Sequence, residues 1–439
     1  MKRKSFLWVL VCLLGMLPAS SLFAQEPDTL TLDGLWQTQG YGMVIAAAEG
    51  QAAVYQVTAI SCLLLLETPY EGDSLPELQM TVSALDDDHL VLRDLMTAYM
   101  ILDPIDQLPA PCADGGTANT DDPELNFEVF WHTFNEQYAF FYLYDVDWQA
   151  QYDTFRPRVT ADTTPEELFS ILSEMITPLK DGHVSLISDV GEFSPGTLPE
   201  WLEGDSATII GDFIQKQYLS GDEVTLVGNH LIAYRKLDDR TGYIFIQAMY
   251  GYALDNANEV EAAAQAIDEA LAALDGVERM IVDVRFNGGG LDAVALVLAS
   301  RFADDKHLAF SKQARNGDSF TPLREYFVEP GGERQFTGPV VLLTSGLTAS
   351  AAEIFVMAMR ELPHVTVMGE ATSGGHSDIL GCMLPNGWSF GLSNEVYRAA
   401  DGQIYEKAGL PPDQAIPFDA EGFVAGSDNV LNAAWLIAP

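Results

Sequence analysis

The sequence predicts an α/β protein in which a small antiparallel β-domain and a helical segment precede a core built on a largely parallel sheet. After Gly242, apolar strand-like segments alternate with helix-like segments, and the strands are apolar along their whole length. Strands of this kind are buried on both faces by crossover helices, which is typical of parallel sheets. The boundaries that we predict are 25–107 for the β-domain, 108–122 for a linker, 123–190 for the helical segment, 191–241 for an irregular insertion and 242–439 for the α/β core.

Short strands broken by turns predict the N-terminal β-domain. Segments such as AAVYQVTAISCLLLL and LQMTVSAL are rich in apolar and β-branched residues. Gly50, Gly72 and the aspartates at 86–88 separate these segments and favour turns. The stretch 108–122 is rich in Pro, Gly, Asp and small residues, which is the composition of a linker.

An apolar stripe predicts the first helix of the helical segment. Phe127, Phe130 and Phe134 recur at three- and four-residue spacing, which places them on one helix face. We expect that face to be core. A second helix is expected to begin at Thr164 and Pro165, because a threonine cap, a proline and acidic residues in the first turn are helix start signals.

The first residues have the features of a secretory signal peptide. Basic residues at positions 2–4 precede an apolar run over 6–17, and small residues follow up to Ala24, where we expect cleavage. The run is shorter than the roughly 20 residues that a membrane-spanning helix needs. We therefore predict an exported protein, periplasmic or extracellular, with no membrane span once 1–24 are removed; an uncleaved short anchor is the alternative.

The charge balance excludes several classes of partner. Of 439 residues, 64 are acidic and 22 are basic, so the net charge is −42. Binding to a phosphate backbone or to an anionic membrane surface requires basic surface, so we expect no nucleic-acid partner. Hydrophobic residues make up 48% of the chain, which argues against disorder.

Three cysteines remain after the predicted cleavage: Cys62, Cys112 and Cys382. An exported protein can form disulfides, and an odd number leaves one thiol over. Cys62 and Cys112 bracket the first predicted domain, so we predict that they pair. The alternative is that all three are small buried hydrophobic residues.

Ser350 is the first candidate for chemistry. It lies where a loop enters a helix after the buried strand GPVVLLT. The free amides of a helix start can stabilise an oxyanion beside a serine nucleophile. The alternative is that Ser350 only caps the helix, because Ser350-Ala-Ala-Glu353 is also a capping-box pattern.

Three other features can carry chemistry. The glycine run 287–290 (NGGG) lets bare amides approach a ligand, or it is simply a tight strand-to-helix turn. His183 can act as the base of a serine, or it is a structural or surface histidine. Glu406 can orient a base, or it is one surface charge among many. No Cys/His spacing predicts zinc and no EF-hand loop occurs, so we expect no metal and no cofactor.

Six segments together resemble the serine peptidases of family S41, which include the C-terminal processing peptidases and the tricorn protease core. They occur in the family's order between 123 and 417. The segments are LKDGHVSL, GYIFIQAM, IVDVRFNGGG, GPVVLLTSGLTASAAEIF, VTVMGEATSGG and YEKAGLPPD. The resemblance implies a crotonase/ClpP-like αβ core and a serine endopeptidase that acts on a peptide or protein substrate.

The resemblance also implies roles for single residues. Ser350 matches the nucleophile, and the amides of Ala351 and of either Gly288 or Gly289 match the oxyanion donors. The processing-peptidase branch has a catalytic lysine where this chain has Gly375. The resemblance therefore implies that a Ser–Lys dyad is absent.

The tricorn-like branch uses a histidine instead, and the matching residue here is His183. Glu406, shortly before Gly-Leu-Pro-Pro-Asp, matches its supporting glutamate. Where that branch has a bridging serine this chain has Gly182, so a water or Ser185 is the expected bridge. His376, next to the lost lysine position, is the alternative base.

A non-catalytic carrier is the rival interpretation, because the interphotoreceptor retinoid-binding proteins resemble the same family. The nucleophile and its partners discriminate between the two, and their presence here favours the enzyme. Many relatives carry a PDZ domain, whereas 191–241 is long enough only for a reduced one. The resemblance does not cover 25–118.

Overall fold

A computed structural model describes residues 32–437, except 71, 73, 76–79, 87, 95–96, 203–205, 220–222 and 255–257. The predicted signal peptide, 1–24, lies outside these residues. None of the helices in the described part combines the length and the hydrophobicity that crossing a bilayer requires.

The N-terminal strands form one antiparallel sheet, as predicted. Its strands are β1 (Gly34–Thr38), β2 (Met43–Ala48), β3 (Gln51–Val57), β4 (Cys62–Pro69), β5 (Ser74–Leu75), β6 (Met80–Ala84), β7 (Leu90–Arg93) and β8 (Tyr99–Pro104). They are ordered β4-β3-β2-β1-β8-β7-β6-β5. Alternate residues such as Val54, Val82 and Leu92 point into a small core of their own.

A disulfide fastens this sheet to the segment that follows it. Cys62, at the start of β4, is bonded to Cys112, which lies in the 3₁₀ turn Ala110–Gly115. The two Cα atoms are 5.0 Å apart. The predicted pairing is therefore confirmed, and Cys382 keeps a free, buried thiol.

The helical segment consists of α1 (Pro123–Gln137), α2 (Phe141–Tyr144), α3 (Trp148–Phe155) and α4 (Pro165–Ile176). Thr164 and Glu167 form the capping box of α4, with a proline in its first turn. Phe127, Phe130 and Phe134 are fully buried, so the predicted core face of α1 is confirmed. The segment packs on a small antiparallel sheet of order β10-β9-β21-β20, whose strands are β9 (Ser185–Ile187), β10 (Glu192–Phe193), β20 (Ile379–Met383) and β21 (Ser389–Ser393).

The central sheet has the order β11-β12-β13-β14-β18-β19-β23. Its strands are β11 (Thr225–Val227), β12 (Ile232–Asp238), β13 (Thr241–Ile246), β14 (Arg279–Asp283), β18 (Val340–Thr344), β19 (Val365–Gly369) and β23 (Gln414–Ala415). From β13 to β23 every neighbour is parallel. The prediction of a largely parallel sheet is confirmed.

Helices cover both faces of the central sheet. One face packs against α6 (Glu259–Ala273), α7 (Asp292–Ala299) and α8 (Ala351–Arg360). The other packs against α5 (Ser206–Gln217), α9 (Ala420–Val424) and α10 (Asn429–Ile437). A further antiparallel sheet contains β15 (His307–Asn316), β16 (Ser319–Phe320), β17 (Arg324–Val328) and β22 (Glu395–Ala399).

The expectation that 191–241 is irregular is wrong for much of its length. The region contains β10, α5, β11 and all of β12. β12 extends the central sheet antiparallel to β13, and β11 pairs antiparallel with β12 at the edge. A tight turn at Gly228, Asn229 and His230, all with positive φ, joins them. The short edge strand β11 depends on pairing with β12 rather than on a strong local pattern.

The parallel sheet determines where the site lies. Asp283, which ends β14, pairs with Leu343, and Thr344, which ends β18, pairs with Gly369. Because parallel strands end at the same edge, the loops that follow β14, β18 and β19 leave the sheet side by side. These loops carry the glycine run, Ser350 and the 370–378 segment.

Candidate active site

Ser350 sits at a sharp turn immediately before α8. Its φ is 55°, an unfavourable value for a residue with a side chain and one that clusters at functional sites. The capping box expected from the local pattern is present, and the Glu353 carboxylate accepts from the Ser350 amide at 3.2 Å. The same amide donates to the Gly375 carbonyl oxygen at 3.0 Å. The turn is thus fixed from two sides, with Ser350 half-buried.

Glu353 does more than cap the helix. Its carboxylate is fully buried and accepts from the Thr372 hydroxyl at 2.5 Å and from the Gly374 and Gly375 amides, each at 2.8 Å. Hydrogen bonds to a charged acceptor are stronger than neutral ones. Glu353 therefore ties the loop after β19 to the Ser350 turn, a function that sequence analysis missed.

The glycine run lies against the Ser350 turn. A Cβ built on Gly289 would be 2.6 Å from the Ser350 Cβ and 3.0 Å from the Ala351 nitrogen, and Gly289 has a φ of +105°. The Gly289 amide donates to the Asn287 side chain at 2.9 Å. In the described residues, the Gly288 and Ala351 amides donate to no protein group. Of the two glycines left open by the sequence, the geometry favours Gly288 as the donor.

Asn287 holds the glycine run in place. It is fully buried, and its amide nitrogen donates to the Ile246 carbonyl oxygen at 3.1 Å. Its own carbonyl oxygen accepts from the Ala349 amide at 3.1 Å. Asn287 thereby connects β13, the glycine run and the Ser350 turn.

A buried ion cluster anchors the chain just before the glycine run. Arg285 donates to the Asp283 carboxylate at 2.7 Å and to the Asp428 carboxylate at 2.7 and 2.8 Å. Ser345, in the loop after β18, donates its hydroxyl hydrogen to the Arg285 carbonyl oxygen. Burying an arginine requires such paired charges, and the cluster joins both loops to the segment before α10.

His183 faces the same loops from the end of the helical segment. A Cβ built on Gly375 would lie 3.7 Å from its Cε1 atom and 3.9 Å from its Nε2 atom. Gly375 thus lies between the imidazole and the Ser350 turn, to which its carbonyl oxygen is bonded. The Nδ1 atom of His183 is buried without a hydrogen-bond partner in the described part of the chain.

Glu406 lies behind the loop that follows β19. Its Oε2 atom accepts from the His376 amide at 3.0 Å and the Ser377 amide at 3.1 Å, while Oε1 is buried and unpaired among the described residues. No hydrogen bond joins Glu406 to His183 there, and none links Ser185 to either. The structure thus brings Glu406 to the back of the site without direct contact to the imidazole.

Asp181 is a buried carboxylate that sequence analysis did not single out. It accepts from the His183 amide at 2.9 Å and from the Tyr138 hydroxyl at 3.0 Å. Burial, with the nearby carboxylates of Asp181 and Glu353, holds the pKa of Glu406 well above its usual value.

His376 is placed less well than His183 for acid–base chemistry in the cleft. Its ring is buried, with Nε2 3.3 Å from a Glu353 oxygen and Nδ1 3.9 Å from a Glu406 oxygen. Burial is the largest influence on the His376 pKa and lowers it. His376 does not line the cleft described next, whereas His183 does.

A cleft of about 640 Å³ opens beside these groups. It is lined by Tyr144, Lys180, Gly182, His183, Ser194, Gly196, Thr197, Leu198, Gly288, Ala349, Ser373, Gly374, Gly375 and Lys407. Loops from the helical segment, the central sheet and the insertion all contribute to it. Within the described ranges, no group of three or more His, Cys, Asp or Glu side chains is arranged to hold a metal ion.

Serine-type hydrolases on several folds share three features: a serine at a helix start, amides that can donate to an oxyanion, and an imidazole nearby. Sequence comparison identifies the family. The profile of peptidase family S41 matches residues 240–416, and that of the tricorn protease C1 domain matches residues 120–177. Residues 240–416 therefore match peptidase family S41, a family of serine-type peptidases.

Individual relatives agree with this assignment. The carboxy-terminal processing protease CtpA of Bacillus subtilis is 30% identical over 154 residues, which are 35% of this chain and 32% of CtpA. The chloroplastic C-terminal processing peptidase of Tetradesmus obliquus is 28% identical over 180 residues, 39% of this chain and 37% of that protein. The chain thus spans about a third of the length of these curated relatives.

Solved structures confirm the fold. A putative peptidase from Parabacteroides merdae superposes with a TM-score of 0.61 at 29% identity, covering 73% of this chain and 97% of that one. Mature CPAF superposes with a TM-score of 0.54 at 12% identity, covering 69% and 94%, and shares the fold. The predicted αβ core with its helical segment is that of S41 peptidases.

Proposed function

We propose that the protein is an exported serine endopeptidase that hydrolyses peptide bonds through an acyl-enzyme. The match of residues 240–416 to family S41 supports the reaction class. The observation that carries the proposal is that Gly288, His183 and Ala349 of the Ser350 turn line one cleft although they come from distant parts of the chain. Ser350 and the amide of Ala351 lie directly behind that lining, against Gly289.

In the proposed reaction, His183 takes the hydroxyl proton of Ser350 as the oxygen attacks a peptide carbonyl. The Gly288 and Ala351 amides donate to the carbonyl oxygen as it gains negative charge, and losing one such donor typically lowers kcat by about 10²–10³-fold. His183 then protonates the leaving amine. Water attacks the acyl-enzyme, with His183 again acting as base.

We assign Glu406 and Asp181 to the support of His183 as positioning residues. Asp181 holds the His183 backbone through a 2.9 Å hydrogen bond. Glu406 Oε1 and His183 Nδ1 are both buried and unpaired within the described residues. When His183 accepts a proton its ring becomes positive, and an ionised carboxylate close to the ring would stabilise that charge.

Serine labelling tests the nucleophile and the base together. A fluorophosphonate probe should modify the purified wild-type protein and Ser319→Ala, which removes an exposed serine of β16. It should not modify Ser350→Ala. Labelling should be lost in His183→Ala and kept in His376→Ala; the reverse would make His376 the base.

Hydrolysis of an unfolded protein such as casein tests the reaction itself. The expected result is cleavage by the wild type and none by Ser350→Ala with its fold intact. If the wild type neither reacts with the probe nor cleaves any polypeptide, the rival interpretation replaces this one: a non-catalytic protein on the same fold that binds peptides or apolar ligands.

Export is proposed from the signal-peptide pattern of residues 1–24 and is supported by the Cys62–Cys112 disulfide. Disulfides persist mainly in oxidising compartments. Cell fractionation with N-terminal sequencing should recover a mature chain that begins at Gln25. Recovery of the full-length chain in the cytosol would contradict export without affecting the proposed reaction.

A further inference from the structure

The cleft beside Ser350 differs in charge from the rest of this acidic protein. The chain has 64 acidic and 22 basic residues, yet no aspartate or glutamate lines this cleft and two lysines, Lys180 and Lys407, do. Four other clefts in the described structure each include at least one carboxylate. Those carboxylates are Glu395 in the first, Asp121 and Asp189 in the second, Asp162 and Glu167 in the third, and Glu136 in the fourth.

Lys180 presents its charge next to the proposed base. It follows the 3₁₀ turn Thr177–Leu179 in a left-handed conformation, with a φ of 51°, and its side chain is exposed. The adjacent Asp181 carboxylate forms no ion pair with it within the described residues, and its hydrogen bonds are to the His183 amide and the Tyr138 hydroxyl. Ion pairs within the described residues do not include Lys180.

Lys407 is held at the cleft by neutral groups. Its φ is 68°, and its backbone amide donates to the Gly374 carbonyl oxygen at 2.6 Å. The ammonium group donates to the Leu143 carbonyl oxygen at 2.8 Å and lies 5.1 Å from the centre of the Tyr144 ring. These contacts orient the cation without cancelling its charge. The preceding Glu406 side chain is buried and bonds to a different loop.

We propose that Lys180 and Lys407 form a carboxylate-binding subsite, so that peptides with a carboxylate close to the scissile bond are the preferred substrates. This inference rests on the proposed function of the same cleft. An ammonium–carboxylate hydrogen bond is stronger than a neutral one, and the cleft offers such a group no repelling acid. The net charge of −42 repels a polyacidic segment, so the preference is for a single carboxylate.

Matched peptides measure the preference and identify its source. One series of amidated fluorogenic peptides carries a single aspartate or asparagine at successive positions around the cleavage site. A second series ends in a free carboxylate or in an amide, without acidic side chains. We expect at least one Asp/Asn pair, or the free-acid/amide pair, to differ about tenfold in kcat/KM. The series with the larger ratio identifies the carboxylate.

Lysine variants tie the preference to this cleft. In Lys180→Met and in Lys407→Met the ratio should fall towards one, because the charge is lost and the length is kept. Lys216→Met is the matched control, since Lys216 is an exposed lysine of α5 outside the cleft, and it should keep the wild-type ratio. Turnover with a ratio near one in the wild type, or a ratio unchanged in both cleft variants, overturns the subsite.

Binding to Ser350→Ala separates this inference from the proposed function. Fluorescence anisotropy with the same labelled peptides should give tighter binding of the carboxylate-containing member of each responsive pair. If the wild type cleaves nothing but this binding preference is present, the peptidase proposal fails and the subsite stands. If neither turnover nor a binding preference is found, both fail.

Discussion

Replacing Gly289 with alanine should disable the proposed oxyanion donors by steric means alone. The added Cβ would lie 2.6 Å from the Ser350 Cβ, 2.8 Å from the Ala349 carbonyl oxygen and 3.0 Å from the Ala351 nitrogen. Ordinary carbon–carbon contact requires about 3.5–4.0 Å. The glycine run and the Ser350 turn must therefore separate by about 1 Å to admit the methyl group.

The expected loss of activity follows from that displacement. A shift of about 1 Å in the reacting geometry can lower the rate about 10²-fold, and loss of one oxyanion donor about 10²–10³-fold. We expect kcat of Gly289→Ala to fall within this range. Alanine at a φ of +105° also adds strain of about 1–3 kcal/mol to the folded state.

Gly276→Ala is the control that separates strain from displacement. Gly276 has a φ of +84°, and nothing lies within 4 Å of its added Cβ. It should lose stability in chemical denaturation but keep its activity. Gly289→Ala should lose stability, kcat and fluorophosphonate labelling together. Wild-type labelling and turnover in a folded Gly289→Ala protein would refute the proposed contact between the glycine run and Ser350.

Three further outcomes follow from buried groups. Burial raises the pKa of Asp292 from 3.8 to about 6, so the folded state holds a proton that the unfolded state releases. The contribution of Asp292 to the unfolding free energy should therefore fall by about 3 kcal/mol as pH rises from about 4 to about 6. Urea titrations of Asp292→Asn should lack that fall, and identical pH profiles for the variant and the wild type would contradict the prediction. Breaking the Cys62–Cys112 bond, whose partners are 50 residues apart, should lower the free energy of unfolding by about 4 kcal/mol through the entropy of the unfolded loop. The variant with serine at both positions tests this, with Cys382→Ala as the control. Equal denaturation midpoints for the two variants would refute the prediction. Glu353→Gln replaces an acceptor by an amide donor that faces backbone amides, so the free energy of unfolding should fall by about 1–3 kcal/mol and kcat should fall as well. An unchanged kcat would show that Glu353 does not support the site.

Local periodicity was sufficient to predict the elements that pack by themselves. The aromatic stripe of Phe127, Phe130 and Phe134 is buried as its spacing requires. The apolar strands of the central sheet are parallel and covered on both faces, because strands of that composition have no face suited to water. These predictions depend on neighbours in sequence, which a single chain reveals.

Groups that depend on distant partners could not be predicted in this way. Glu353 was interpreted as a helix cap from its neighbours, whereas its bonds to Thr372 and Gly374 require the loop after β19 to return to the same edge of the sheet. Asp181 resembled an ordinary turn residue, and only the folded structure places the Tyr138 hydroxyl against it. A carboxylate in an acidic sequence carries no local sign that it will be buried.

The relation between Gly375 and His183 explains why the absent lysine and the histidine go together. The resemblance to family S41 implies that position 375 is where the processing-peptidase branch carries its base, and a Cβ there would be in ordinary van der Waals contact with the His183 ring at 3.7 Å. A lysine side chain that extended from that Cβ towards His183 would compete with the imidazole for the same volume. Under the proposed mechanism, a lysine at position 375 and His183 would therefore compete for the same space beside Ser350. Glycine at position 375 leaves that space to the imidazole.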